Sequence, residues 1–150
     1  MKCFRKIAII TGFILVHSFA VAGEKVYVSY FEVMGMPVSS GYSLTNLFNS
    51  YLKSNAAFEL VEGRYTDTTS RAETPLEARE SAELFETKFY VSGNVIRLED
   101  IFVVNVSMYT TSTGVLVWND SRKCLWMDDL EIALKYLAMN LGSRQTTSSP

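Results

Sequence analysis

The sequence predicts an α/β (α+β) domain built on a single mixed five-stranded sheet. The element order is β-α-β-α-β-β-β-α, the strand order 2-1-3-4-5, and helices cover the sheet. Three observations carry this. Strand-like runs at 26–33 and 58–63 are each followed by a helix-forming stretch, the alternation that builds parallel strands through crossovers. Three later strand-like runs are separated by two and four residues, spacing that joins antiparallel neighbours. The last leucine-rich segment repeats with a 3.6-residue period.

Taken in order, residues 26–33 alternate Val26, Val28 and Tyr30 against Tyr27, Phe31 and Val33, and apolar residues on both faces read as a central strand. Residues 43–54 place Leu44, Leu47, Phe48, Tyr51 and Leu52 on one helical stripe, with Ser43 or Ser40 as cap. The second strand stops at Gly63, and 64–73 read as a polar loop. Thr74, Pro75 and Glu77 then supply an N-cap, a first-turn proline and a capping box, ahead of an inner stripe of Ala78, Ala82 and Phe85. Residues 89–98, 101–110 and 115–119 form a meander, which 122–126 extends after a break. Asp128 caps the last helix. Its inner stripe is Leu130, Ala133, Leu134, Leu137, Ala138 and Leu141, and Gly142 is its stop. Right-handed crossovers set the second and third strands on opposite sides of the first.

The amino terminus points to export. "MKCFRK" is basic, "IAIITGFILV" is apolar, and Ala20 and Ala22 precede a cleavage point before Gly23. That is the layout of a signal peptide over 1–22, and its apolar core is too short to span a bilayer as a helix. The expected domain is then 23–142, followed by a flexible polar tail over 143–150, with no transmembrane span in the mature chain. Loss of Lys2, Arg5 and Lys6 leaves 11 basic against 16 acidic side chains, a net charge of −5. Such a surface disfavours nucleic acid.

Cleavage also removes Cys3 and His17, the only histidine. The mature chain then has no Ser-His or Cys-His pair and no imidazole for zinc. Cys124 is left alone, as a buried apolar side chain or as one half of an intermolecular bridge. No cofactor, metal site or catalytic residue is expected.

A glycine-containing loop between the first strand and helix, "MGMPVSSGY", has the layout of a phosphate-binding loop but not its chemistry. Gly35 and Gly41 are separated by five residues rather than four, Tyr42 stands where a lysine is needed, and Pro37 lacks a backbone donor. Its apolar residues suit a contact surface instead. The expected contact residues are Met36, Val38 and Tyr42, with Tyr65 from the neighbouring loop; both loops leave the carboxyl ends of parallel strands, where such sheets bind ligands. Glu77, Glu80, Glu83 and Glu86 recur every third residue and read as a solvated face.

The order and spacing resemble the TolB amino-terminal domain and the related CsgG-like and FlgO-like periplasmic domains. The residues that carry this are "VYVSYFEV", a helix with spaced leucines, "FELV", the Tyr90-Val91-x-Gly93 strand and the Thr113-Gly114…Trp118 turn. The resemblance spans about residues 25–141 and implies an α/β domain associated with the envelope; its motifs are structural, so no site residue carries over. The functional expectation is a non-enzymatic, exported interaction domain, periplasmic or associated with the outer envelope. It would bind an envelope protein, and a homo-oligomer is a second partner class. The alternative is a small-molecule or glycan-binding domain.

Overall fold

The computed structural model describes residues 23–55, 57–62 and 72–143. The signal-peptide reading, Gly63, Tyr65 and nearly all of the polar tail fall outside them. The elements are β1 (Glu24–Val28), β2 (Glu32–Met34), α1 (Ser39–Lys53), β3 (Phe58–Glu62), α2 (Pro75–Leu84), β4 (Phe89–Leu98), β5 (Ile101–Thr110), β6 (Leu116–Cys124) and α3 (Asp129–Ser143).

The sheet runs β3-β1-β4-β5-β6, which is the expected order once strands are renumbered, with β2 as an added short strand paired to β4. β1 lies parallel to both β3 and β4. β4, β5 and β6 form the antiparallel meander.

The first strand is not continuous. Val28 sits opposite Val91 and Glu32 opposite Asn94, so four steps along this strand match three along β4. The extra residue reverses the side-chain alternation. Phe31 and Val33 therefore join Val26 and Val28 on one face, rather than Tyr27 on the other as uninterrupted pairing predicts. The break is held from outside: the Phe31 N–H donates to Thr45 Oγ1 at 2.9 Å, and the Tyr30 hydroxyl donates to the Val38 carbonyl at 3.0 Å.

One sheet face carries the main core. Val26, Val28, Phe31, Val91, Val95, Val104 and Val106 meet Phe48 and Leu52 of α1 and Leu134, Leu137 and Leu141 of α3, all fully or almost fully buried. The other face is covered over β1 and β4 by α2, where Ala78 and Ala82 pack on Tyr27 and Tyr90. Small residues let α2 approach closely, and Phe85 stacks on Tyr27 with ring centroids 5.7 Å apart.

Helix ends divide sharply. α2 has the expected capping box: Thr74 Oγ1 accepts from the Glu77 N–H, and Glu77 Oε2 accepts from the Thr74 N–H at 2.8 Å. α1 begins four residues earlier than the stripe predicts, at Ser39. Val38 is its N-cap and makes no side-chain cap bond, so neither Ser40 nor Ser43 caps it. In α3, Gly142 is a buried helical residue and not the stop. A Cβ there would fall 1.6 Å from Asn55, so glycine permits the close approach of α3 to the end of α1. β6 likewise runs through Cys124 without the expected break, its pairing with β5 shifting register only near Val117.

Candidate interaction surface

The strand-to-helix loop is shorter than its sequence suggests. Gly35 turns the chain with φ +74°, and its missing side chain leaves room for the Arg97 carbonyl, 2.7 Å from where a Cβ would lie. Gly41 belongs to α1 and packs against the Phe31 carbonyl. Both glycines thus have packing reasons.

The predicted contact residues separate. Met36 is half-buried against the main core. Tyr42 is a half-buried residue of α1, not of the loop. Val38 is 54% exposed and, with Met34, is what the loop offers a partner. Tyr65 lies outside the described residues.

More exposed apolar side chains lie toward the other end of the chain. Among the described residues, nine of the fourteen exposed large hydrophobic side chains fall between Val115 and Met139 in sequence. Leu125, Trp126 and Met127 form the turn from β6 into α3, with Trp126 69% exposed. Ile132, Tyr136 and Met139 follow at i, i+4 and i+7 along α3, a second stripe separate from the buried leucines. This stripe was readable from the sequence, but the stronger leucine stripe on the same helix masks it.

Between this stripe and β6 runs an open polar groove lined by Asn119, Asp120, Arg122, Tyr136 and Asn140. The Arg122 guanidinium lies 3.5 Å from the centroid of the Tyr136 ring, an intimate cation–π contact. Arg122 Nε is buried and has no hydrogen-bond partner among the described residues. Asp120 accepts from Asn140 Nδ2 at 3.2 Å and from the Ser121 N–H at 2.8 Å.

Other candidates resolve into structure. The glutamates of α2 do not form one stripe: Glu77 caps, Glu83 pairs with Arg79 at 3.0 Å, and Glu86 lies beyond the helix with φ +53°. Cys124 is buried, and its thiol lies 3.6 Å from the Asp129 carbonyl, so the intermolecular bridge has no exposed sulfur to use. Burial, then the negative charge of Asp129, push this thiol above its ordinary pKa. Among the described residues no three His, Cys, Asp or Glu side chains gather into a metal-sized cluster. No described helix is long and apolar enough to cross a membrane.

No family model and no curated protein matches the sequence. Solved structures do match the fold. The PelC dodecamer from Paraburkholderia phytofirmans aligns with TM-score 0.58 at 17% identity, covering 85% of this chain and 91% of that one. The LpoB C-terminal domain from Escherichia coli aligns with TM-score 0.58 at 13% identity, covering 69% and 83%. TolB from Acinetobacter baumannii aligns with TM-score 0.53 at 12% identity, covering 85% of this chain and 29% of TolB. Identity this low establishes a shared α/β fold and nothing further. The TolB part of the sequence resemblance is matched in fold; the CsgG-like and FlgO-like part rests on the motifs alone.

Proposed function

We propose that the protein is an exported, non-enzymatic accessory domain of the bacterial envelope that works by binding another protein. In this reading residues 1–22 direct export and are removed after Ala22, residues 23–142 are the working domain, and 143–150 are a polar tail. The fold shared with PelC, LpoB and TolB supports the architecture.

The observation that carries the reading is the apolar surface of the β6–α3 turn and the outer stripe of α3. Trp126 and Ile132 are 69% and 68% exposed, and large apolar side chains held in water suit a partner that buries them. The groove beside this surface is open and is not a chamber closing on a small molecule, which favours a protein over a small ligand.

The test is a photoreactive residue at Ile132, activated in intact cells. An adduct with a different protein, lost when Trp126→Ser is added, is the expected result. An adduct only with a second copy of this chain, or none at all, overturns the assignment of this surface to an envelope partner. The export reading is checked separately by the mature amino terminus, expected at Gly23.

A further inference from the structure

We infer that the open edge of β6 is a self-pairing strand, joining two copies of the protein in antiparallel register about a two-fold axis at Ser121. This does not rest on the envelope reading above.

β6 ends the sheet, and no strand covers its outer side among the described residues. The Ser121 N–H donates to the side chain of Asp120, so it is turned away from β5. In an antiparallel ladder every second residue directs its backbone groups to the same side. Asn119, Ser121 and Lys123 therefore present their N–H and C=O groups outward, and all three are exposed. An edge of this kind is a template for another strand.

The residues around Ser121 select which strand. Antiparallel self-pairing through Ser121 sets each residue opposite the one equally far on the other side. Asp120 then faces Arg122 of the second copy, and Arg122 faces its Asp120. Both lie on the sheet face that carries α3, as their pairing with Val106 and Val104 shows. One attractive charge pair thus occurs twice, and no like charges meet. Asn119 faces Lys123. Slipping the register by two residues, with the axis at Asp120 or Arg122, loses both charge pairs and sets like charges opposite each other.

The partner also gives Arg122 a bond that the single chain leaves open. Ser121 would exchange its N–H and C=O with Ser121 of the second copy. That frees an Asp120 oxygen for the guanidinium of Arg122, whose Nε is buried without a partner. The stacked Tyr136 ring already holds that guanidinium at the seam.

Sedimentation equilibrium of the purified chain over a concentration series tests this. A reversible dimer is expected. Ser121→Pro removes the central donor at a position where an edge strand tolerates proline, so the chain still folds and melts cooperatively while the dimer is lost. Asp120→Arg and Arg122→Asp should each weaken dimerisation about tenfold or more, and the double exchange should restore it. Independently, Ser121→Cys should oxidise to a covalent dimer, because paired Cα atoms about 5.5 Å apart accept a disulfide. Thr113→Cys, in the hairpin before β6, should form no covalent dimer. A monomer at every concentration with no cross-link from Ser121→Cys overturns the inference. So does an oligomer whose mass Ser121→Pro leaves unchanged.

Discussion

The ring of Phe31 lies where a side chain on residue 93 would begin. A Cβ on Gly93 would stand 2.6 Å from two of its ring carbons. The glycine of the β4 strand is thus the floor of the pocket that receives Phe31 after the break between β1 and β2. Gly93→Ala should cost about 1–3 kcal/mol by overpacking, read as a lower urea midpoint. Phe31→Leu in the same background should recover part of that loss, whereas unchanged stability in Gly93→Ala would remove the pocket from the account.

The two stripes of α3 should behave oppositely. Leu137 is fully buried, and Leu137→Ala is expected to cost about 2–5 kcal/mol. Met139 is exposed, and Met139→Ser should stay within about 0.5 kcal/mol. Equal losses in chemical denaturation would mean that the outer stripe is covered.

Met36 and Tyr42 are now expected to act through stability. Replacing both by serine removes half-buried apolar surface, from Met36 against the main core and from Tyr42 on α1, at a cost on the order of 1–3 kcal/mol. Any loss of partner binding should then follow the folded fraction. Normal melting with binding abolished would return the loop to the role its sequence suggested.

Cys124 should be silent toward thiol reagents at neutral pH until the protein unfolds. Its pKa is raised in the fold, so the folded chain holds the thiol proton more tightly than the unfolded one. The resulting stabilisation is complete below the unfolded thiol's pKa and is lost as pH rises through the folded value. Cys124→Ala should flatten the alkaline part of the stability profile; a native thiol alkylated rapidly at pH 8 would contradict the burial.

Much of the architecture was legible because its signals are local. Thr74, Pro75 and Glu77 declare the start of α2 within four residues, and short turns declare the meander. The break after Val28 was not legible, because its causes lie elsewhere in the chain: Thr45 takes the Phe31 N–H, and Gly93 makes room for its ring. The start of α1 was missed because no side chain caps it. The candidate surface was hidden differently. Leu125 and Trp126 read as an extension of the last strand, but β6 ends at Cys124 and leaves them exposed in the turn into α3.

The place of β1 between β3 and β4 also has a consequence in time. Val26 takes its partners from Leu60 on one side and Phe89 on the other, both far downstream. β4, β5 and β6 need only near neighbours and can close as soon as they exist. A chain emerging amino end first therefore shows an interior strand to its surroundings early and pairs it late. Until Phe89 arrives, the sequence Val26-Tyr27-Val28 is an apolar strand with no second neighbour. The interval between the two events is when this protein is most exposed to aggregation, and its length is set by the speed of delivery rather than by the stability of the finished fold.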